Sequence, residues 1–293
     1  MFGIGKSNKD VQLKTPGHGV DFHMHTIASD GAWTPEKLVE TAAAQGLKLM
    51  TVSDHDTIKS VRPVAALAAK KGIDFIPGVE ITVEWKSAMY HMLVLNFNPD
   101  DAALNALLDE TEARVNAKKQ EMIEGLQKRG FTLAKLQDLK RPDGSYLPMD
   151  IVRALHKGGE VPTFDMALNL GRQVGVDKVI SQPIDRAIEV ALKAGGTPVL
   201  AHPGRQEYGF TVATLETLRE MVELGLAGVE VYHHSHQPAD VERYRNFALQ
   251  HKLVISAGSD SHGENRKPMP WNPELIRGLL ERVDLDVPVA ASA

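Results

Sequence analysis

The sequence predicts an α/β protein, a β/α barrel that carries a helical insertion. Short β-rich runs alternate with helical patterns in the first and last thirds of the 293-residue chain. Between them, residues 98–196 show helical patterns and no convincing strand, so we expect a cap inserted after the fourth strand. The barrel is therefore assigned to residues 1–97 and 197–293, and the helical insertion to residues 98–196.

The individual elements follow from the hydrophobic pattern and from the residues that interrupt it. Thr34 and Pro35 are typical of a helix start, and Gly46 is typical of a helix end. Gly72 and Gly130 end two further helical patterns. The predicted strands are 20–25, 48–53, 73–84, 89–97, 197–201, 228–232 and 253–257, and the predicted helices are 34–45, 58–71, 101–129, 149–157, 163–170, 183–194, 214–224 and 239–251.

The third and fourth strands are predicted to form a hairpin. The segment between them is too short for a helical crossover, so the fourth strand returns antiparallel. A turn centred on Lys86 and Ser87 sets the register. In that register His91 lies opposite Thr82, and the period-two alternation of side chains puts it on the same sheet face as Glu80.

Composition excludes several classes of function. The net charge of −5 and the isoelectric point near 6.2 argue against salt-driven binding of long nucleic acid. The chain has no cysteine, so a metal site must use nitrogen and oxygen ligands. Residues 1–19 lack the apolar core of a signal peptide, and no apolar run is long enough to span a bilayer. We expect a cytoplasmic protein without membrane contact.

Histidines and carboxylates recur where the apolar strands end. Five such groups at equivalent positions predict one site, because the C-terminal strand ends of a β/α barrel meet on one face. Their residue types predict that this site binds metal. The groups are His23 with His25, Asp54 with His55, Glu80, His202, and Asp260 with His262.

The spacing of these side chains predicts which of them share an ion. His23 and His25 point the same way from one strand end and can bind one metal together. Asp260 and His262 repeat that spacing. Glu80 follows a tight Pro-Gly and is placed to bridge two metals. The candidate ligands outnumber the needs of one ion, which predicts a metal cluster.

The candidate ligands stand in one motif order that spans both ends of the chain. They are His23-x-His25, Asp30, Ser53-Asp54-His55, Gly78-Val79-Glu80, His91, Ala201-His202-Pro203 and Gly258-Ser259-Asp260-Ser261-His262. Together these motifs resemble the PHP (polymerase and histidinol phosphatase) family of metal-dependent phosphoesterases. The resemblance implies a distorted seven-stranded (β/α)7 TIM-like barrel, the PHP fold, with two or three divalent ions.

The resemblance also implies how the ligands divide among three metals. His23, His25, Glu80 and Asp260 hold the first metal, Glu80, His91 and His202 the second, and Asp30, His55 and His262 the third. Asp54 is expected to orient ligands rather than bind metal directly. Imidazole and carboxylate ligands suit zinc, manganese and iron alike, so the identity of the metal stays open.

Within the family, the chain is similar to small stand-alone enzymes that act on nucleoside 3′,5′-bisphosphates and short RNA 5′ ends. The stretches 199–205 and 228–232, followed by Ser235-His236, carry this similarity. Those enzymes usually show an Arg-Pro-His run in the cap, where the arginine helps to bind phosphate. The corresponding stretch here is Tyr146-Leu147-Pro148-Met149, which has neither the arginine nor the histidine.

The expected reaction is hydrolysis of a small phosphorylated metabolite, such as a nucleoside 3′,5′-bisphosphate, by a metal-bound water that attacks phosphorus in line. Arg114 and Lys118 lie i, i+4 on the long cap helix, so both can face the barrel mouth and bind phosphate. A solvated helix face is the alternative. Arg205 and His236 are further phosphate-binding candidates, and His236 is a candidate general acid.

Three other functions stay open. A histidinol-phosphate-type phosphomonoesterase would use the same cluster on another small phosphate ester. A non-catalytic PHP scaffold would lack ligands, whereas every expected ligand is present. A metal-dependent C–N hydrolase is the third, because barrels with a His-x-His motif also support amide hydrolysis.

Overall fold

The computed structural model describes residues 13–15, 17–141, 144–206 and 209–286. Most of the polar N-terminal segment, residues 1–12, lies outside this part of the chain. Within it the protein is a mixed α/β fold with two β-sheets, in agreement with the predicted class. Over the same ranges, no helix combines the length and the apolar character that a membrane crossing needs.

The first sheet is parallel and contains three short strands. Its elements in chain order are β1 (Gly19–Asp21), α1 (Pro35–Ala44), β2 (Leu47–Met50), α2 (Val61–Lys70) and β3 (Asp74–Phe75). The Thr34 hydroxyl accepts from the Lys37 backbone N–H and caps α1, as its sequence predicts. Strands β1 and β2 end earlier than predicted, so His23, His25 and His55 lie in the segments that follow them.

The hairpin consists of β4 (Gly78–Trp85) and β5 (Ala88–Leu95), which pair antiparallel. Thr82 pairs with His91, which confirms the predicted register. Lys86 and Ser87 have φ values of 50° and 64°, the left-handed conformation of a two-residue hairpin turn. The prediction of one unbroken strand at 73–84 is wrong, because the chain leaves the ladder before Gly78, where Pro77 has no N–H to donate.

A helical segment follows the hairpin. Its elements are α3 (Ala102–Gln127), α4 (Pro148–Lys157), α5 (Phe164–Gln173), β6 (Gln182–Pro183) and α6 (Ile184–Lys193). The expectation of no strand here is wrong for the two residues of β6, which pair parallel with β4. So short a strand carries no periodicity that a sequence could reveal.

The last third returns to the strand–helix alternation. Its elements are β7 (Thr197–Leu200), α7 (Leu215–Glu223), β8 (Gly228–His233), α8 (Pro238–Gln250), β9 (Val254–Gly258) and α9 (Arg277–Arg282). Strand β7 pairs antiparallel with β5, whereas β8 and β9 continue in parallel. These strands complete a six-stranded sheet in the order β6-β4-β5-β7-β8-β9.

Isolated bridges join the two sheets on both sides. Met24 pairs with Ser261 beyond the ends of β1 and β9, and His55 pairs with Glu80 in β4. The described strands therefore form two linked sheets rather than one continuous ladder, and the closed TIM-like barrel stays a prediction. These bridges place the ends of β1, β2, β4 and β9 beside one another, where the histidines lie.

The helical segment packs in two ways. The first turns of α3, with Leu104 and Leu107, belong to the same apolar core as the six-stranded sheet. The far half of α3, with Met122 and Leu126, instead forms a separate core with α4 and α5. The predicted boundaries of the insertion, 98–196, stay a prediction.

Candidate metal centre

The predicted ligands converge on one cluster beside the ends of the strands. His23, His25, Glu80 and Asp260 are at most 1% exposed, and His91 and His202 are 7% exposed. The side chains of Asp30, His55 and His262 retain between 21% and 38% of their exposure. The cluster is therefore buried on the strand side and open to solvent on the side of these three residues.

Glu80 lies at the centre of the cluster, with histidines on both of its carboxylate oxygens. Oε2 lies 2.9 Å from His23 Nε2, 3.2 Å from His25 Nε2 and 3.4 Å from His55 Nδ1, and Oε1 lies 3.0 Å from His202 Nε2 and 3.3 Å from His91 Nδ1. The two oxygens thus divide the histidines into two groups. This is the arrangement that a carboxylate bridging two cations requires.

Among the described residues, four groups have ligand atoms that all lie within 4.8 Å of one another. Three consist of predicted ligands: His23, His25, Glu80 and Asp260; His25, Asp30, His55 and His262; and His55, Glu80 and His91. The fourth joins Asp260 to His233 and His234, which were not predicted as ligands. The first is the ligand set expected for the first metal. The second contains the expected third set together with His25. The third places His55 beside Glu80 and His91. His202, which was expected with Glu80 and His91, is absent from this group but contacts the same Glu80 oxygen as His91.

Several buried ring nitrogens in the cluster lack a hydrogen-bond partner, as expected at a cation-binding site. Both ring nitrogens of His25, Nδ1 of His55 and Nδ1 of His91 are buried without a hydrogen-bond partner. A buried polar atom left without a partner costs roughly 1–3 kcal/mol. A cation would satisfy one nitrogen of each of these rings, because a neutral imidazole carries one lone-pair nitrogen. The imidazole and carboxylate donors suit zinc, manganese or iron.

The electrostatic field of the cluster also favours cations. Burial opposes the charged form of His25, but the carboxylates of Asp260 and Glu80 outweigh it and raise the pKa of His25 to about 10. The pKa of His23 is raised well above its usual value because Glu80 and Glu230 outweigh its burial. The buried carboxylates that raise these two pKa values also favour a divalent ion at the same place.

Glu230 is a functional side chain that the sequence analysis missed. Its Oε1 accepts from His23 Nδ1 at 3.0 Å, and its Oε2 accepts from the His202 backbone N–H at 2.8 Å. The bond to Nδ1 leaves Nε2 of His23 facing Glu80, the tautomer that a metal ligand needs. The available signal was an acidic residue between two valines inside the buried strand β8.

Gly258 allows His23 and Glu230 to meet. A Cβ at this position would lie 2.2 Å from His23 Cβ and 2.3 Å from Glu230 Oε1. No side chain can occupy that space without displacing the ligand or its partner. The close approach therefore explains a glycine at the end of β9.

Asp54 organises the loop that carries Asp30. It accepts from the backbone N–H and hydroxyl of Thr26 at 2.7 Å and 2.8 Å, and from the Ser29 hydroxyl at 2.7 Å. The Ser60 hydroxyl also donates to it. These contacts engage its carboxylate outside the histidine groups, which is the geometry expected of a residue that orients ligands.

The predicted phosphate-binding cations lie in different surroundings. Arg205 donates from Nη1 to Asp260 Oδ2 at 2.6 Å and is thus beside the cluster. Arg114 donates to the Ser181 carbonyl oxygen at 2.8 Å, at the base of the helical segment. Lys118 lies 3.4 Å from Glu121 on the same helix. The phosphate-binding roles of Arg114 and Lys118 stay predictions.

His236 is held by two backbone groups. Its Nδ1–H donates to the Val231 carbonyl oxygen at 2.9 Å, and its Nε2 accepts from the Gly204 N–H at 3.1 Å. The ring therefore fixes the loop that leads to Arg205. Its predicted part as a phosphate ligand or general acid stays a prediction, and would require one of these bonds to open.

Comparisons with known proteins identify the family of this chain. Residues 21–125 match the model of the PHP domain. The chain is 31% identical over 274 residues to a 5′-3′ exoribonuclease of Haemophilus influenzae, covering 92% of this chain and 97% of that protein. It is 29% identical over 248 residues to a 3′,5′-nucleoside bisphosphate phosphatase of Chromobacterium violaceum, covering 83% and 87%. A solved structure of a proposed metal-dependent phosphoesterase from Bifidobacterium adolescentis matches with a TM-score of 0.76 and 27% identity, covering 91% of this chain and 97% of that one.

Fold, cluster and relatives together define a hydrolase of phosphate esters that depends on metal ions. More particularly, the chain belongs to the PHP family. This confirms the resemblance of its motifs to the PHP family. It also confirms the predicted class of enzyme, a metal-dependent phosphoesterase.

Proposed function

We propose that this phosphoesterase hydrolyses a small phosphorylated nucleotide, a nucleoside 3′,5′-bisphosphate, with two or three ions of manganese, iron or zinc in the histidine cluster. The observation that carries the proposal is the position of Glu80, whose two carboxylate oxygens face different groups of histidines. Bound divalent ions would acidify a coordinated water and neutralise charge on the phosphoryl group.

In this proposal the buried side chains hold the ions. His23, His25, Glu80 and Asp260 would hold one ion, and Glu80, His91 and His202 would hold a second. Glu230 keeps the proton of His23 on Nδ1, so that Nε2 stays available as a ligand. These six ligands are buried, so their side chains are positioned before a metal arrives.

The exposed side of the cluster admits the substrate. Asp30, His55 and His262 are assigned to the third ion, next to solvent. His262 donates from Nδ1 to the Asp260 carbonyl oxygen at 2.8 Å, which leaves Nε2 directed toward Asp30 at 3.1 Å. Arg205, one-fifth exposed beside Asp260, supplies a cation for a phosphate oxygen.

The names of two relatives support a phosphorylated nucleotide as the substrate class. The Chromobacterium protein is named a 3′,5′-nucleoside bisphosphate phosphatase and the Haemophilus protein a 5′-3′ exoribonuclease. A short RNA with a 5′ end is therefore the second candidate substrate. Both substrates present a phosphate ester next to a ribose, so the same cluster can serve either reaction.

A substrate panel tests the proposal. Purified protein loaded with Mn²⁺ is assayed with a nucleoside 3′,5′-bisphosphate, the matching monophosphate, a 5′-phosphorylated RNA oligonucleotide and histidinol phosphate. We expect the highest kcat/KM with the bisphosphate. A higher value with the oligonucleotide would assign the chain to the exoribonucleases instead. A higher value with histidinol phosphate, or turnover of a cyclic amide with none of these esters, would overturn the proposal.

A further inference from the structure

One buried carboxylate lies between the two strand ends that carry the His-x-His and Asp-x-His motifs. Asp21, the last residue of β1, is 0% exposed and was not among the site residues that the sequence indicated. Its Oδ1 accepts from the backbone N–H of Ser259 at 2.9 Å and from that of His23 at 3.3 Å. Its Oδ2 accepts from the Met269 N–H at 2.8 Å. Asp21 thus joins the end of β1 to both ends of the loop that follows β9.

The pairing between these two strand ends contains one extra residue. The Phe22 N–H donates to the Ala257 carbonyl oxygen at 3.0 Å, and the His25 N–H donates to the Ser261 carbonyl oxygen at 2.8 Å. Between these two bonds the chain advances three residues on the side of β1 and four on the side of β9. An extra residue of this kind is a β-bulge, which redirects the side chains beside it. Residues 258–260 lie within the bulge.

The bulge directs Asp260 toward the histidines of the other strand end. Asp260 has a φ of 50°, in the left-handed region that Asp adopts more readily than most other residues. Its Oδ1 then lies 3.1 Å from Nε2 of His25 and 3.5 Å from Nε2 of His23. A left-handed backbone at a residue other than glycine costs free energy and persists only where its surroundings hold it. The direction of this carboxylate therefore depends on what stabilises the bulge.

The bulge creates a backbone donor that needs an acceptor from a side chain. In a regular parallel ladder the Ser259 N–H would donate to the Phe22 carbonyl oxygen, whereas here it donates to Asp21. Ser259 is 0% exposed, so bulk water does not reach it. A buried N–H without an acceptor costs roughly 1–3 kcal/mol. The Asp21 carboxylate thus supplies the acceptor that the bulge requires.

We propose that Asp21 is a positioning residue, which holds the bulge after β9 and so directs Asp260 toward the ion that His23 and His25 would bind. The proposal rests on the proposed function in taking these three side chains as ligands of one ion. Asp21 acts through the backbone N–H groups of Ser259 and His23, whereas Glu230 acts through the ring of His23. The two buried carboxylates thus support the same ion in different ways.

Two variants of Asp21 separate its hydrogen bonds from its charge. Asp21→Asn keeps the shape and one acceptor oxygen, which can still accept from Ser259 and His23, but it turns an amide NH2 toward the Met269 N–H. Asp21→Ala removes all the acceptors. Both variants remove the charge, so a difference between them reports on the hydrogen bonds alone.

The test measures where Mn²⁺ binds. Anomalous difference maps of crystals equilibrated with a series of Mn²⁺ concentrations give the occupancy of each position, and calorimetric titration gives the affinities in solution. We expect the affinity of the ion beside Asp260 to fall about 10-fold in Asp21→Asn and about 100-fold in Asp21→Ala. The affinity of the ion beside His91 and His202 should change by less than about threefold, because those ligands belong to other strand ends.

Asp150→Asn is the matched control. Asp150 is 7% exposed and accepts from the Leu147 backbone N–H at 2.9 Å in the helical segment. Its substitution therefore makes the same chemical change to a buried carboxylate that lies away from the cluster. The melting temperature should fall, and both Mn²⁺ positions should keep the affinity of the wild type.

A loss confined to the position beside Asp260 is the result that supports the inference. An equal loss at both positions, or a lower melting temperature with unchanged Mn²⁺ binding, would overturn it, because Asp21 would then only stabilise the fold. Equal losses in Asp21→Asn and Asp21→Ala would also overturn it, because they would assign the effect to the charge. If Asp21→Ala does not fold, the comparison of the two positions in Asp21→Asn decides.

The experiment also separates this inference from the function on which it rests. A wild type that binds no Mn²⁺ beside Asp260 would contradict the assignment of ligands in the proposed function, and this inference with it. A wild type that binds Mn²⁺ there but does not hydrolyse the bisphosphate would overturn the proposed substrate alone.

Discussion

The cluster at the strand ends and the helical segment differ in how their polar side chains are fixed. In the cluster, side chains from four parts of the chain meet at one carboxylate, Glu80, within 3.4 Å. In the helical segment, Arg114 and Lys118 make their contacts with Ser181 and with a neighbour on the same helix. The first region is thus organised around one site, and the second around its own packing.

The difference follows from the geometry of the two elements. A residue beside a strand has only two faces to choose from, and pairing register decides between them. The orientation of a helix about its axis depends on what it packs against. Lys119 illustrates this, since it is 9% exposed and donates to the Tyr146 carbonyl oxygen at 3.0 Å. The far half of α3 thus turns this cation toward the stretch that lacks the Arg-Pro-His run.

Removal of the central carboxylate should have the largest effect. Glu80→Gln keeps the shape but removes the charge between the two histidine groups. We expect loss of bound metal and a fall in kcat/KM well beyond the roughly 10- to 100-fold that a hydrogen-bond partner of a ligand contributes. Metal analysis and phosphatase assays measure both. Glu84→Gln, an exposed position on the same strand, is the control and should resemble the wild type. Full metal content in Glu80→Gln would contradict a bridging role.

Glu230→Gln should have the second-largest effect. The neutral amide has only one acceptor oxygen, so it cannot accept from both His23 Nδ1–H and the His202 backbone N–H, and metal affinity or activity should fall about 10- to 100-fold. A titration with Mn²⁺ gives the affinity directly. Glu242→Gln, on the exposed face of α8, removes the same charge elsewhere and should bind metal normally. Equal affinity in both variants would show that Glu230 does not support the site.

Gly258→Ala should disturb the same contact by steric overlap. The new methyl group must displace His23 or Glu230, at a cost of roughly 1–3 kcal/mol for overpacking. We expect weaker metal binding and a lower melting temperature. Gly278→Ala meets no atom within 4 Å and lies in α9, so it should be neutral or slightly stabilising. If the two variants bind metal equally well, the tight contact at Gly258 is unimportant.

A cavity in the helical segment should have the smallest effect on catalysis. Leu126→Ala removes a fully buried side chain from the separate core of that segment. The free energy of unfolding should fall by about 2–5 kcal/mol. Metal content at temperatures below unfolding should stay that of the wild type. Loss of metal in the folded variant would show that the packing of the helical segment and the metal cluster depend on each other, which would contradict their separate organisation.

The pairing of the hairpin strands could be predicted from the sequence, whereas the end of β1 and the strand β6 could not. The register that pairs His91 with Thr82 was predictable because two residues suffice for a hairpin turn and allow one alignment. The early end of β1 was not, because Phe22 continues the apolar pattern while its N–H bonds to Ala257 rather than into β2. The strand β6 was invisible because two residues show no period.

Within the site, the sequence indicated the ligands with a recognisable spacing and one supporting residue, Asp54, but not the supporting carboxylate of Glu230. His-x-His and Asp-x-His indicate ligands by themselves, and the structure brings them together. Glu230 has no such motif, and only the fold places it beside His23 and the His202 backbone N–H. Contacts made across more than 200 residues of chain cannot be read from local pattern.

The central claim is that Glu80 bridges two cations in this cluster. An anomalous difference map from a crystal soaked in Mn²⁺ tests it most directly, because it locates the ions without an activity assay. The account predicts two or three peaks within the cluster, with the Glu80 carboxylate between two of them. A single peak away from Glu80, or no peak among these histidines at saturating Mn²⁺, would contradict it.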